Sequence, residues 1–268
     1  MEIKAVMCDL DGTLLNEKSL VTAHTAETIR RIKEKGFFFG LSTGRDAESV
    51  QNLARDKWKI DSLVDGIVGS GGGEVAEDGR IQDLYPLPGT LIADLIKALE
   101  DTDADFSVCQ GGVHCALKGT FYLRLLARCD GMSCKVVDKS FLIGQSHPKL
   151  LITCPPLSLN KTLGIVELFR QKNPVFSCLK TGPILLEVTD VRVTKATGLK
   201  KMMEDHGWTM SELMAFGDDD NDCEMLKGAG MGVAMGNASP KAKAAAAYST
   251  SDNKHDGVAS FLEKTLLS

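Results

Sequence analysis

Asp9 and Asp11 stand two residues apart, directly behind the apolar run Ile3 to Cys8. On an extended backbone, residues two apart share a face, so the two carboxylates point the same way. One carboxylate can attack phosphorus and form an acyl phosphate. The other can protonate the leaving oxygen and then activate water for the second step. A bare Asp-x-Asp reads equally as an acidic turn whose side chains cap backbone amides. The apolar run before it and Gly12-Thr13 after it favour chemistry.

A second acidic group follows the short apolar run Leu213 to Phe216, where Asp218, Asp219, Asp220 and Asp222 crowd around Asn221. Four acids this close repel one another without a cation. Magnesium takes oxygen ligands in octahedral geometry and keeps several waters, so acids on such a turn can hold it directly and through water. The competing reading is a solvated acidic loop at a helix start, and Asp219 and Asp220 fit it. Thr43 follows the apolar run Phe37 to Leu41 and offers a hydroxyl to a phosphoryl oxygen, although Ser-Thr-Gly is also an ordinary turn. Lys195 could offset charge on Asp9 and on a phosphate, and preorganised charge supplies most of the catalysis in phosphoryl transfer. Alone it would be read as a surface lysine.

These residues need elements to hold them. Ile3 to Cys8, Phe37 to Leu41 and Gly66 to Val68 have the length of buried strands. Between them, Ala26, Ile29 and Ile32 mark a helix over Ala23 to Lys35, with Thr22 as its cap and Gly36 as its end. Asp46 to Lys57 is expected as a second helix. Late in the chain come a helix at Thr194 to His206, a strand at Leu213 to Phe216, and a helix from Glu224. A strand at Gly232 to Met235 follows, then helices over Lys241 to Ala247 and Val258 to Leu267. Alternating strands and helices predict a parallel sheet, with sites beyond the carboxyl ends of its strands. The middle differs: helices at Leu91 to Leu99 and Leu163 to Gln171 lie among five strand-like runs, as in an α+β insert with largely antiparallel strands. Pro86, Pro88 and Gly89 mark the way in, and Thr189 to Val193 the way out.

Taken together, Asp9-Leu10-Asp11-Gly12-Thr13-Leu14, Thr43-Gly44-Arg45, Lys195 and Gly217-Asp218-x-x-Asn221-Asp222 resemble the four signatures of the haloacid dehalogenase-like superfamily. Gly232-Val233-Ala234-Met235-Gly236-Asn237-Ala238 and Asp256-Gly257-Val258 are similar to its Cof-type phosphatase branch. The resemblance implies an α/β fold: a Rossmann-like core, residues 1–84 and 191–268, with an α+β cap inserted as residues 85–190. It implies Asp9 as nucleophile, Asp11 as general acid and base, and Thr43 and Lys195 on the transferring phosphoryl group. Leu10, Gly44, Arg45 and Asn221 would contact substrate or phosphate. Magnesium would lie on the Asp9 carboxylate, the Asp11 carbonyl and Asp218, with Asp222 and Asn221 supporting the metal's waters or Lys195. Arg45 reads equally as a substrate contact and as a helix cap, and Asn237 equally as a site residue and as part of a turn.

Two positions depart from the pattern. Ala196 follows the lysine where relatives carry glycine, a change expected to affect packing. Ser70-Gly71-Gly72-Gly73 replaces an asparagine-glycine pair, and is expected to permit a tight turn. In the insert, His114, Arg124, Arg128 and His147 are the polar candidates for substrate contact, each more readily read as a surface residue.

Composition bounds the rest. The net charge of -5 disfavours nucleic-acid binding, which needs a basic face. No apolar run is long enough for a membrane span, and Met1-Glu2-Ile3-Lys4 does not resemble a secretory signal, so the expected location is cytoplasmic. The 8 cysteines form no CxxC pair and read as reduced, mostly buried thiols. The expected activity is magnesium-dependent hydrolysis of a small phosphorylated metabolite, such as a sugar phosphate, by a monomer or small homo-oligomer. A phosphomutase or phosphotransferase, or a non-catalytic binder of a phosphorylated ligand, remains open on the same residues.

Overall fold

A computed structural model describes residues 2–268. It resolves into two compact units, one formed by residues up to Gln82 with Thr194–Ser268, the other by Asp83–Val193. Among the described residues no helix is long and apolar enough to cross a membrane.

The first unit begins with strand β1 (Ala5–Cys8), buried along its whole length. Helix α1 (Ala23–Glu34) starts where Thr22 accepts a hydrogen bond from the Thr25 amide, and it buries Ile29 and Ile32. It stops at Gly36, whose φ of +89° suits glycine. Strand β2 (Phe38–Ser42) leads to helix α2 (Ala47–Leu53), capped by the Asp46 carboxylate on the Ser49 amide. The expected single helix over 46–57 breaks here. Ala54–Trp58 forms a wider π turn that ends at Lys59 in the left-handed region. It turns Ala54 and Trp58 inward, and the Trp58 indole N–H donates to the Ser19 carbonyl at 3.1 Å.

Strand β3 (Gly66–Gly69) pairs in parallel with β2, and β2 with β1. The expected parallel sheet carries an antiparallel edge after β3. Strand β4 (Glu74–Glu77) lies antiparallel to β3, and a hairpin turn at Asp78-Gly79 leads to an exposed edge strand, β5 (Arg80–Asp83). Both turn residues have positive φ, as a two-residue hairpin loop requires.

The second unit runs α3 (Gly89–Ala98), β6 (Asp105–Gln110), β7 (Val113–Ala116), α4 (Phe121–Cys129) and β8 (Ser133–Val136). It continues with α5 (Lys139–Ile143), β9 (Leu150–Thr153), α6 (Pro156–Lys172), β10 (Phe176–Lys180) and β11 (Leu185–Asp190). Its sheet order is β10-β11-β9-β6-β7-β8. The pairs are antiparallel except β7 with β8, which α4 joins as a parallel crossover. Alternate residues such as Phe106, Val108, Ile152 and Val188 face one apolar core with Ile92, Leu95 and Val166 from the helices.

The chain then returns to the first unit with α7 (Lys195–Asp205), β12 (Leu213–Gly217), α8 (Cys223–Gly228) and β13 (Met231–Ala234). α9 (Pro240–Ala245), β14 (Tyr248–Ser249) and α10 (Gly257–Leu266) complete it. Strand β12 pairs in parallel with β1 on the side away from β2, so the sheet reads β14-β13-β12-β1-β2-β3-β4-β5. The order of connection reverses between β1 and β12. In an open parallel sheet that reversal leaves a crevice beyond the carboxyl ends of the two strands. Asp9 and Asp218 are the first residues past those ends.

Candidate active site

After β1 the chain turns sharply on Gly12, at φ +92°. The Thr13 and Leu15 amides return to the Leu10 carbonyl at 3.2 and 2.9 Å. The turn carries the Thr13 hydroxyl to Asp218, where it donates to Oδ1 at 2.7 Å. It also explains the glycine: a Cβ at position 12 would lie 2.3 Å from Asp218 Oδ2. Asn237, after β13, closes the same corner by donating to the Gly12 carbonyl at 2.8 Å and to Asp218 Oδ2 at 3.3 Å.

Lys195 opens α7, whose first turn is fastened by Thr194 and Thr197 capping each other. Its ammonium donates to Asp9 Oδ1 and Asp222 Oδ1, both at 2.6 Å. All three side chains are buried, Asp222 and Lys195 almost completely. Asp222 Oδ2 accepts the Asp218 and Asp219 amides at 2.9 and 3.0 Å, so this one carboxylate anchors both the lysine and the acidic turn. The glycine stretch before β4 makes the approach of α7 possible. Gly72, at φ +108°, would place a Cβ 1.8 Å from the Thr194 carbonyl oxygen. Ser70–Gly72 is thus a tight turn, as expected, and its open side receives the start of the lysine's helix.

Charge does not balance inside this cluster. Asp9, Asp218 and Asp222 can each offer an oxygen within 4.8 Å of the others, against one ammonium. Burial pushes the Asp9 carboxyl up to about 7; Lys195 pulls it down, and Asp222 and Asp218 add to the rise. Burial opposes the Lys195 charge, but Asp9 and Asp222 more than reverse that, so its affinity for a proton is raised. Asp218 is also raised, first by burial and against the Thr13 hydrogen bond. Hard, anionic oxygens with a surplus negative charge are a donor set that suits magnesium. Asp222 has one oxygen on Lys195 and the other on two amides, which leaves Asp9 and Asp218 as the carboxylates better disposed to a metal.

Asp11 lies elsewhere. Its carboxylate is half exposed and takes the Arg45 guanidinium, Nε to Oδ2 at 3.0 Å and an Nη to Oδ1 at 3.3 Å. Its side chain is not in the Asp9–Asp218–Asp222 group, so only its main-chain carbonyl answers to the metal role. Arg45 is not the cap of the following helix: Asp46 caps α2, and the Arg45 guanidinium reaches Asp11. Thr43 is buried, accepts the Arg45 amide on its Oγ1 at 3.2 Å, and keeps its hydroxyl proton to donate. Gly44 lies between them, with open space where a Cβ would stand. The Leu10 side chain is wholly buried, so only its backbone could meet a ligand. Asn221 is exposed on the turn Asp220–Asp222, and its side chain makes no hydrogen bond among the described residues.

Sequence reasoning missed Thr13, which was read only as part of a motif, and left Asn237 undecided. Neither has a signal of its own, because each acts on Asp218 across more than a dozen residues of chain. In the second unit His114 and His147 are buried, not surface residues. Arg124 donates its Nε to the Gly119 carbonyl at 2.8 Å.

A family model of haloacid dehalogenase-like hydrolases matches residues 6–262. The chain belongs to the haloacid dehalogenase-like hydrolase family. The 5-amino-6-(5-phospho-D-ribitylamino)uracil phosphatase YcsE of Bacillus subtilis (strain 168) is 29% identical to this hydrolase, covering 100% of it and 97% of the relative. YitU of the same organism, a phosphatase of the same name, is 27% identical over 97% of this chain and 96% of its own. A crystal structure of a haloacid dehalogenase-like hydrolase from Bacteroides thetaiotaomicron superposes with a TM-score of 0.88 at 29% identity, covering 98% of this hydrolase and 99% of that chain. The protein is an enzyme of this family, and the named relatives around it are phosphatases.

Proposed function

We propose that the enzyme is a magnesium-dependent phosphomonoester hydrolase for small phosphorylated metabolites, working through an acyl phosphate on Asp9. The observation that carries this reading is the Lys195 ammonium held between Asp9 and Asp222 at 2.6 Å from each, beside Asp218. That arrangement fixes one oxygen of Asp9 and leaves the other to attack.

The Asp9 oxygen not bound by Lys195 attacks phosphorus, and the bond to the leaving alcohol breaks. Asp11 gives that alcohol its proton, then takes one from the water that cleaves the acyl phosphate. To do so Asp11 must let go of Arg45, whose guanidinium occupies both of its oxygens in the resting structure. Thr43 and Lys195 hold phosphoryl oxygens as charge moves. Bound by Asp9, Asp218 and the Asp11 carbonyl, magnesium would add positive charge against the transferring group. Asp222 keeps Lys195 and the acidic turn in place.

The test is phosphate release from a panel of phosphorylated compounds, with magnesium and with chelator, beside the Asp9→Asn variant. The panel includes sugar phosphates and the phosphoribitylamino-uracil for which the two Bacillus relatives are named. Magnesium-dependent release that the variant loses supports the proposal. Undiminished release in chelator, or by Asp9→Asn, refutes it.

A further inference from the structure

The motif Asp256-Gly257-Val258 has no part in the chemistry proposed above. Asp256 stands at the start of α10 with φ +52°. Its Oδ1 accepts the Thr22 and Thr25 hydroxyls at 2.6 and 3.1 Å, which pins it to the beginning of α1. Gly257 lets the chain fold back on itself: a Cβ there would lie 2.1 Å from the Ser251 carbonyl oxygen. The Gly257 and His255 amides return to the Asp252 carbonyl at 3.1 and 3.2 Å. These contacts close the loop 251–257, and the single turn within it, Asn253–His255, begins with Asn253.

Asn253 ties this loop to the catalytic corner twice. Its side-chain Nδ2 donates to the Leu15 carbonyl at 2.7 Å, and its backbone amide donates to Asn237 Oδ1 at 3.1 Å. Leu15 ends the turn that begins at Leu10, and it forms an isolated bridge with Asp11. An amide side chain accepts at one end and donates at the other. With Oδ1 held by Asn253, the Asn237 Nδ2 is turned to the Gly12 carbonyl and Asp218 Oδ2. One residue thus braces the turn after Asp9 and the loop behind Asp218 together.

We infer that Asn253 is a positioning residue: it holds the turn carrying Asp11 and Thr13 against the loop that supports Asp218, and so sets the affinity of the site for magnesium. It acts through Leu15 and Asn237, not on the reacting atoms. The inference rests on the magnesium site proposed above. Partners behind metal ligands contribute about 10- to 100-fold to affinity, and Asn253 stands one contact further out, so about three- to tenfold is expected.

Three variants separate its two bonds. Asn253→Ala removes the bond to Leu15 and keeps the backbone amide. Asn253→Asp removes the same bond with little change of shape, and its added negative charge would by attraction alone tighten a cation. Asn253→Pro removes the amide as well. Proline suits a first helical position, and Asp252 before it is already extended, at ψ 170°.

The experiment titrates magnesium into the intact protein without substrate, by calorimetry, and measures the melting temperature of each variant. Asn253→Ala and Asn253→Asp should weaken magnesium by about three- to tenfold at unchanged stoichiometry, and Asn253→Pro by more than either. With magnesium saturating, kcat should stay below that of the unaltered protein, because Asp11 shares the turn, while KM changes little. Affinities equal to that of the unaltered protein overturn the inference. So does a fall in stoichiometry or melting temperature with the dissociation constant unchanged, the signature of a loop that only supports the fold. Tighter binding by Asn253→Asp would show charge at work instead of position, and would overturn it too. If the unaltered protein takes up no magnesium, the metal reading itself fails and this inference falls with it, a result visible before any variant is made.

Discussion

Gly12 and Asp218 share one space: the room for a Cβ on the glycine is filled by the carboxylate, 2.3 Å from where that atom would stand. Gly12→Ala therefore forces the Asp218 carboxylate out of its place, and it also strains a backbone at φ +92°. The expected result is a rise of at least tenfold in the magnesium concentration for half-maximal activity. Titration calorimetry should show the same loss of affinity without substrate. Unaltered magnesium binding by a folded Gly12→Ala would count against Asp218 as a ligand.

Asn237 makes a gentler version of the same test. It touches Asp218 only through a 3.3 Å hydrogen bond and ties the Gly12 carbonyl at 2.8 Å. Partners behind metal ligands typically contribute 10- to 100-fold to metal affinity. Asn237→Ala should weaken magnesium by roughly the lower end of that range while moving the melting temperature little. An unaltered affinity would leave Asn237 as a turn residue only.

Lys195 is a cation shared by two buried acids, Asp9 and Asp222. Replacing it with methionine leaves Asp9 and Asp222 buried without a counter-charge, a change that costs about 3–5 kcal/mol in comparable sites. Asp9, which burial already pushes up and Lys195 pulls down, would then have a folded-state pKa raised further above its unfolded one. Stability from such groups is present at low pH and lost as pH rises through the folded value. Urea melts should therefore show a large deficit for Lys195→Met at pH 8 that narrows as the pH falls. A deficit independent of pH would mean that lost packing, not charge, is responsible.

Magnesium binding should itself depend on pH. Burial holds the metal-free Asp9 carboxyl up to about 7, and a metal ligand must be deprotonated. Binding near neutrality then releases a proton. The dissociation constant should weaken about tenfold per pH unit below pH 7 and level off above it. Calorimetry in two buffers of different ionisation enthalpy counts the proton. Affinity flat from pH 5.5 to 7.5 would show that Asp9 is already ionised before the metal arrives.

How much of this could be read from the chain follows from which forces are local. Thr22 is legible as a helix cap because a cap acts over three residues. Buried parallel strands such as β1 and β12 announce themselves as short apolar runs. The edge strand β5 does not, since all four of its residues are exposed and nothing in Arg-Ile-Gln-Asp marks a buried face. α6 begins seven residues before its apolar stretch because Pro156 suits a first helical turn while reading as a loop. In the site, Asp9, Asp218, Asp222 and Lys195 are recognisable as a set from their motifs. The direction of Asp11 is not, because only the folded chain shows that the Arg45 guanidinium faces it.

The crevice at the reversal of strand order has a consequence for how the enzyme comes into being. Asp9 leaves the ribosome early, but Asp218 follows only after the whole second unit has been synthesised, and the Asn237 that closes their corner later still. A growing chain carries its proposed nucleophile long before it can hold a metal beside it. Activity therefore begins late in synthesis, and a product that stops within the second unit is inert rather than partly active.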